Sequence, residues 1–270
     1  MMLAGKIFAF FYKDLLNEAS YRFAFITQFL GMIFAALSFF FLSKMLGNAV
    51  LPALAAYGGD YFSFVIIGVA FASYLRISME SFSNSIRTAQ LLGTLEAMLL
   101  TQTRVPAIVL CSSLYSFFVT SIRVIAFLAI GSILLGMDVG DGNFLGAAVL
   151  LILTILCFSC FGIISASFVM VLKKGDPLNW LFVNVSWLLG GVYYPISILP
   201  DWAQKVAHLL PLTYSLEGIR FALLKGYDNH QLLPYMLPLA GISIVLLPVG
   251  IFSFIFAVNK ARENGSLTHY

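Results

Sequence analysis

Long, uninterrupted apolar runs dominate the order of hydrophobic and polar residues along the chain. A helix needs about 20 mostly apolar residues to cross the hydrocarbon core of a bilayer. The strands of a membrane barrel would instead alternate apolar and polar residues over about 10 positions, and these runs do not alternate. The pattern predicts an all-α polytopic membrane protein with six transmembrane helices, at 23–44, 61–79, 105–135, 144–171, 178–195 and 234–258.

The residues before the first run have a different, amphipathic pattern. At 100° per residue, Lys6 and Lys13 share one face of a helix over 3–21, and Phe8 and Phe11 lie opposite. This arrangement is typical of a helix in the headgroup plane, and the alternative is a cytoplasmic extension of the first span. We divide the chain into an interfacial amphipathic helix at 1–22, a transmembrane domain at 23–258 and a cytoplasmic tail at 259–270.

The composition supports a surface solvated by lipid. Hydrophobic residues make up 61% of the 270 residues and charged residues only 10%, against roughly 25% charged in a soluble domain. The 15 basic and 12 acidic side chains are too few to cover a water-soluble globule. The net charge of +3 comes with no basic run that would follow a phosphate backbone. These numbers exclude a soluble enzyme, a disordered protein and a nucleic-acid binder.

The loop cations set the predicted orientation, because cytoplasmic loops of membrane proteins are enriched in Lys and Arg. With the N-terminus inside, Lys44, Lys205, Arg220 and Lys225 are the cations of the outer segments. The cytoplasmic segments hold Lys6, Lys13, Arg22, Arg76, Arg87, Arg104, Lys173, Lys174, Lys260 and Arg262. This asymmetry predicts that both termini are cytoplasmic.

The segment 195–230 is too apolar for an exposed loop and too broken for a span. Prolines interrupt it, and non-helical backbone at membrane depth survives only when it is buried in protein or lines a wet cavity. We therefore predict a re-entrant helical hairpin in the outer leaflet before the last span. Glu217 and Arg220, three residues apart, are expected to neutralise each other there. The prolines in question are Pro195, Pro200 and Pro211.

Arg123 is the single charge well inside a predicted span, since Lys44 and Arg76 lie near the ends of theirs. A mid-membrane arginine costs at least about 2.5 kcal/mol, so it is expected to face protein or water. Glu217 is the candidate partner, and the alternative is an arginine that extends to the headgroups of the outer interface. A more ordinary ion pair is predicted between Arg76 and Glu80, four residues apart at the end of the second span.

The sequence lacks the signatures of an energy-using or catalytic chain. It holds neither the phosphate-binding motif of P-loop ATPases nor the H-E-x-x-H motif of metalloproteases, and we predict no metal site and no catalytic residue. No predicted span contains an Asp, Glu or His that would couple transport to protons. Cys157 and Cys160 form a C-x-x-C without a second pair, which favours packing over metal or redox chemistry. The pattern points to a complex whose energy source lies on another chain.

Three motifs resemble those of the type-2 ABC exporter permeases, the membrane subunits of ATP-binding-cassette exporters. The resemblance spans the whole chain in the order of its runs and loops, and it is nearest to the drug-resistance and nodulation-factor export permeases, with polysaccharide permeases as relatives. The motifs are 93–101 in the cytoplasmic loop 80–104, then 193–202, then 211–220.

The resemblance implies a transporter subunit rather than an enzyme. Two copies, or this chain and a paralogous permease, would pair in the inner (cytoplasmic) membrane of a prokaryotic cell among its lipids. Separate ABC ATPase subunits would bind ATP and Mg, with no cofactor on this chain, and would dock on a coupling helix. Residues implied at that helix are Thr94, Leu95, Glu96, Ala97 and Leu99.

The resemblance also implies an exit pathway for an amphipathic or lipid-linked cargo such as a drug, lipid or glycan. Tyr193, Tyr194 and Trp202 are candidates to contact the cargo in the outer segment, and an aromatic belt at the interface is the alternative. Two other functions stay open from the residues alone. One is a stand-alone secondary transporter or channel not powered by ATP, and the other is a membrane-embedded hydrolase, for which the spans lack a His, Asp or Glu to activate a nucleophile.

Overall fold

A computed structural model describes residues 22–47, 51–58, 60–91, 105–137, 142–172 and 177–263. Every regular element within these ranges is helical, which confirms the predicted all-α class. Residues 1–21 of the predicted interfacial helix and the tail beyond 263 lie outside the described residues. So does the predicted coupling helix with Thr94, Leu95, Glu96, Ala97 and Leu99.

The helices follow the predicted apolar runs closely. Short 3₁₀ turns lie at Ala55–Tyr57 and Ile196–Ile198, and α4 continues as a π-helical turn at Ile130–Leu134. The α-helices are α1 (Arg22–Leu46), α2 (Leu51–Leu54), α3 (Tyr61–Leu91), α4 (Val105–Ala129), α5 (Phe144–Leu172), α6 (Pro177–Leu189), α7 (Asp201–Ala207), α8 (Pro211–Lys225) and α9 (Asn229–Glu263).

Five of the six predicted spans are helices long and apolar enough to cross a membrane, namely α1, α3, α4, α5 and α9. The remaining prediction, 178–195, corresponds to α6, which has 13 residues. At 1.5 Å per residue α6 is about 20 Å long, against about 30 Å for the hydrocarbon core. The helical conformation ends before the predicted boundary because the backbone turns sharply after Leu189, with Gly191 at φ +77°.

Polar side chains fix where two of the long helices begin. Asp60 caps α3, since its carboxylate accepts the backbone N–H groups of Phe62 (3.2 Å) and Ser63 (2.9 Å). Asn143 caps α5 by accepting the Gly146 N–H at 2.8 Å. Caps of this kind contribute about 1 kcal/mol each. The Asn143 backbone N–H also donates to the Ala222 carbonyl at 2.8 Å, so the start of α5 and the end of α8 meet at one end of the molecule.

The core lies around α3 and α5, and hydroxyl groups join helices across it. The Ser83 and Ser165 hydroxyls are 2.9 Å apart between α3 and α5, and the Thr154 and Ser215 hydroxyls are 2.7 Å apart between α5 and α8. Small hydroxyl residues of this kind let membrane helices approach closely and hydrogen-bond. In contrast, α1 lies at the periphery, where Ala36 is the one buried residue among 27–47.

The two cysteines of the C-x-x-C pair lie in α5, where both are buried as free thiols. Cys160 donates to the Leu156 carbonyl of its own helix at 3.3 Å. Within the described ranges no group of His, Cys, Asp and Glu side chains comes together as a set of metal ligands. Both thiols therefore pack in the interior of the described helices.

Candidate functional site

A buried turn after α6 forms the base of the outer segment. Residues 190–192 are buried, and Gly191 adopts a left-handed conformation with φ +77° that a side chain would strain. Pro195 then begins the 3₁₀ turn, because its carbonyl accepts the Ile198 N–H at 3.3 Å. The chain reverses here instead of continuing as a helix, which leaves the carbonyls of the turn without helical partners.

Arg220 supplies hydrogen bonds to that turn. Its side chain is only 1% exposed, and its guanidinium donates to the carbonyls of Gly191 (2.7 Å), Val192 (3.0 Å) and Phe64 (3.1 Å). The guanidinium carbon also lies 3.4 Å from the centroid of the Phe64 ring. Burial lowers the pKa of Arg220 to about 9, so the group remains charged at neutral pH. Charge-assisted donors of this kind are about twice as strong as neutral ones, and this one ties α8, α3 and the turn together.

Gly68 makes room for this contact on α3. A Cβ atom at Gly68 would lie 2.2 Å from the Arg220 Nη2 atom and 2.3 Å from the Val192 carbonyl oxygen. Real Cβ atoms essentially never approach other heavy atoms that closely, so position 68 admits only glycine without displacement of the turn. The arginine, the turn and the glycine form one packed unit, which we call the arginine clamp: Phe64, Gly68, Gly191, Val192 and Arg220.

Glu217 lies one turn of α8 before the clamp and has a different partner. Its carboxylate accepts the Tyr57 hydroxyl at 3.3 Å, and the Tyr57 ring stacks on Phe221 with centroids 5.1 Å apart. Burial raises the pKa of the Glu217 carboxyl above its usual value of 4.5, and the Tyr57 bond and the charges of His208 and Arg220 oppose this rise. Burial likewise raises the pKa of the Tyr57 hydroxyl. Glu217 is therefore a partly desolvated acid next to a phenol.

The predicted Glu217–Arg220 contact is not formed. The hydrogen bonds of Arg220 go to backbone carbonyls, and the arginine acts on Glu217 only through its charge. The spacing of three residues places both side chains near one face of α8. This spacing cannot show that the backbone carbonyls of a distant turn, rather than the Glu217 carboxylate, accept the hydrogen bonds of Arg220.

The candidate exit aromatics have three different environments. Tyr193 is half-buried, with its ring 5.9 Å from that of Trp187 and 6.2 Å from that of Phe39. The Tyr194 hydroxyl donates to the Leu188 carbonyl. Trp202 is 67% exposed. Only Trp202 therefore presents most of its ring outward, whereas the two tyrosines contact other parts of the protein.

The two remaining prolines of the segment mark helix starts. The Pro200 carbonyl accepts the Ala203 N–H at 2.8 Å and so begins α7. Pro211 is buried at the first position of α8, where its missing N–H costs no helical bond. Thr213 bonds back to the Ala207 carbonyl at 2.6 Å and fixes the angle between the two helices.

The structure places Arg123 and Glu217 in different surroundings. Arg123 lines a cavity that Arg76 also lines, whereas Glu217 accepts a hydrogen bond from Tyr57 near the Phe64 end of α3. Phe64 and Arg76 are about 18 Å apart along α3 at 1.5 Å per residue. The proposed Arg123–Glu217 pair is therefore not supported.

The Arg76 guanidinium lies over the Trp187 ring, 5.3 Å from its centroid, and no ion pair joins it to Glu80 among the described contacts. Sequence reasoning missed Tyr57, Phe64 and Gly68, which carry no motif. Only their neighbours in space give them a role.

We expect Glu217→Gln to stabilise the protein at neutral pH. The folded-state pKa of Glu217 is raised, so its contribution to stability is fully present below pH 4.5 and is lost as pH rises through the folded-state value. Glutamine keeps an acceptor for Tyr57 without the charge. The variant should melt at a higher temperature than the parent at pH 8 and at the same temperature at pH 4, because burial penalises only the ionised carboxylate. Thermal unfolding in detergent at both pH values measures this.

Glu263→Gln is the matched control, because Glu263 is 70% exposed on its side chain and lies 3.6 Å from Lys260. It should show no gain that depends on pH. A lower melting temperature for Glu217→Gln at pH 8 would mean that the charged carboxylate stabilises the fold, contrary to the argument from burial.

Comparison with known proteins adds an independent observation. The family model described as ABC-2 type transporter matches residues 6–224. The chain is similar to the inner membrane transport permease YadH of Escherichia coli strain K12, with 30% identity over 77 residues that cover 28% of this chain and 30% of YadH. It is also similar to nodulation protein J of Sinorhizobium fredii strain NBRC 101917 / NGR234, with 50% identity over 44 residues that cover 16% of this chain and 17% of that protein.

Proposed function

The chain belongs to the ABC-2 type transporter family, and on that premise we propose that it is the permease subunit of an ATP-driven exporter. Family membership makes it a membrane subunit of a transporter rather than an enzyme. The proposed direction is outward, and the proposed cargo is amphipathic or lipid-linked: a drug, a lipid or a glycan. ATP and Mg would bind to separate ATPase subunits. The observation that carries the proposal is the family match over most of a chain that has no ATPase motif of its own.

The proposed topology has six crossings with both termini in the cytoplasm, in the inner membrane. The fifth crossing would consist of α6 together with the buried turn at 190–195 and the following 3₁₀ turn. The arginine clamp supports this arrangement, because it ties the turn to Phe64 and Gly68. Both residues lie near the proposed outer end of α3. In the proposal α7 and α8 form the re-entrant hairpin that shapes the exit, with exposed Trp202 towards lipid or cargo.

The proposal further assigns the energy coupling to the cytoplasmic loop. Thr94, Leu95, Glu96, Ala97 and Leu99 would form the helix on which an ATPase subunit sits. Two permease chains, identical or paralogous, would pair above two ATPases. Closure of the ATPases on ATP would move this helix and open the path between the permeases. A stand-alone transporter would instead move cargo without any ATPase.

We expect Leu99→Asp to abolish ATPase docking and Glu96→Ala to weaken it. An aspartate in an apolar contact loses hydration without gaining a partner, so recovery of the ATPase with the permease should fall at least about tenfold, which corresponds to 1.4 kcal/mol. The experiment co-expresses the tagged chain with a candidate ABC ATPase subunit. It measures the ATPase recovered and the ATP hydrolysis in proteoliposomes.

Glu263→Gln, at the end of α9, is the control for a charge change away from the loop and should leave both measurements unchanged. Unaltered recovery and unaltered hydrolysis in Leu99→Asp and Glu96→Ala would contradict the assignment of the loop. Cargo movement by the permease alone would favour the stand-alone transporter.

A further inference from the structure

A cavity of about 380 Å³ lies between α1, α3 and α4. Two arginines line it, Arg76 from α3 and Arg123 from α4, and none of the lining residues that the structure describes is acidic. Apart from these charges its walls are mostly apolar, with Met32, Val69 and Phe127 among them. A cavity with cationic groups and mostly apolar walls is complementary to a molecule that has an anionic headgroup and an apolar tail.

Both arginines lie deep within helices that are long and apolar enough to cross a membrane. Arg76 lies about 22 Å along α3 from Tyr61 and Arg123 about 15 Å along its apolar segment from Ser113, at 1.5 Å per residue. Both are therefore inside segments long and apolar enough to span a bilayer. Charged residues at such depth are expensive and mark pathways or binding sites for ligands.

The contacts of Arg76 hold its guanidinium in place without neutralising it. Its guanidinium carbon lies 5.3 Å from the centroid of the Trp187 ring, a cation–π contact that orients the group but adds no formal negative charge. The Arg76 side chain is exposed, as is Gln28 on the opposite wall. An arginine fork can bind a phosphate or carboxylate through two parallel hydrogen bonds.

The mouth of the cavity lies along the first turns of α1. Gln28 and Gly31 are both exposed, and a Cβ atom at Gly31 would meet nothing within 4 Å. Under the proposed topology α1 begins at the cytoplasmic side, so the mouth faces the inner leaflet. This argument rests on the proposed topology for direction only, since the cavity and its charges are independent of it.

We propose that this cavity binds the anionic headgroup of an inner-leaflet amphiphile, a lipid that carries a phosphate or carboxylate, between Arg76 and Arg123. The acyl chain would lie against the apolar wall formed by Met32, Val69 and Phe127. Such a lipid is either a resident phospholipid or the exported cargo, because both present the same chemistry.

The test titrates the purified chain in detergent with dioleoylphosphatidylglycerol, and separately with dioleoylphosphatidylcholine, and counts bound lipid by native mass spectrometry. We expect the anionic lipid to bind at least about tenfold more tightly, as two charge-assisted contacts predict. The double variant Arg76→Gln/Arg123→Gln should remove that preference. Lys44→Gln, which removes a cation that does not line the cavity, should leave it intact.

Gly31→Trp provides a second variant that retains both arginines. Its side chain would fill the mouth, so this variant should also fail to bind the anionic lipid. It tests the site independently if the double variant does not fold. Equal binding of the two lipids by the parent chain would overturn the proposal. So would a retained preference in both the folded double variant and Gly31→Trp.

Proteoliposomes that contain the ATPase and a fluorescent phosphatidylglycerol distinguish a resident lipid from an exported one. ATP-dependent movement of the label to the other leaflet, lost in the double variant, identifies the lipid as cargo. Binding without movement identifies a resident lipid, and both results support the site. Lipid binding by the isolated chain needs no ATPase, so failure of the exporter proposal would leave this test unaffected.

Discussion

Replacement of Arg220 by methionine should strongly destabilise the folded protein and lower its yield in the membrane. The substitution keeps the bulk of the side chain but removes the donors to Gly191 and Val192, whose carbonyls lie in a non-helical turn. A buried acceptor left unsatisfied costs about 1–3 kcal/mol, so these two cost roughly 2–6 kcal/mol. That loss is comparable with the 5–15 kcal/mol that stabilises a typical protein. Membrane yield and the melting temperature in detergent measure the effect.

Arg220→Lys should recover only part of the loss. A lysine ammonium is a compact point charge, whereas the guanidinium reaches carbonyls on two separate elements at once. Lys225→Met is the matched control, because Lys225 is an exposed cation at the last position of the same helix. Equal melting temperatures for Arg220→Met and Lys225→Met would show that the clamp contributes nothing to stability.

The helices themselves could be predicted from the sequence, because a span is a local property. Continuous apolar residues force the backbone to satisfy its own hydrogen bonds, and only a helix does so within one segment. The predicted run at 144–171 and the observed α5 differ by one residue. The prediction of one continuous span at 178–195 was wrong, because counting apolar residues along the sequence cannot show that the backbone turns at Gly191.

The partners of the charged residues could not be predicted in the same way. Arg220 was expected to meet Glu217 because the two are neighbours on one helix, but its hydrogen-bond acceptors are backbone carbonyls. Every residue has a carbonyl, so no sequence pattern identifies the ones that a distant turn will leave free. Arg123 was paired with Glu217 because the spans hold no acidic residue, but the structure places Arg123 in the lining of a cavity that Arg76 also lines.

The same reasoning explains why Gly68 escaped notice, and it yields the second large effect. Glycine within a helix costs about 1 kcal/mol relative to alanine, so a survey of helix propensity would predict that Gly68→Ala stabilises α3. The structure predicts the opposite, since the new Cβ atom would lie 2.3 Å from the Val192 carbonyl oxygen and 2.2 Å from Arg220 Nη2. The oxygen belongs to the backbone and cannot rotate away, so the turn must shift and the clamp must loosen.

We therefore expect Gly68→Ala to destabilise the protein by about 2 kcal/mol or more, which combines overpacking of about 1–3 kcal/mol with weakened Arg220 hydrogen bonds. Gly241→Ala on α9 is the control of opposite sign, because a Cβ atom there would meet nothing within 4 Å and helix propensity alone should raise the melting temperature. The double variant Gly68→Ala/Arg220→Met should lose less stability than the two single losses combined, because both substitutions disrupt one contact. Strictly additive losses, or a Gly68→Ala protein as stable as Gly241→Ala, would show that residue 68 and the clamp act independently.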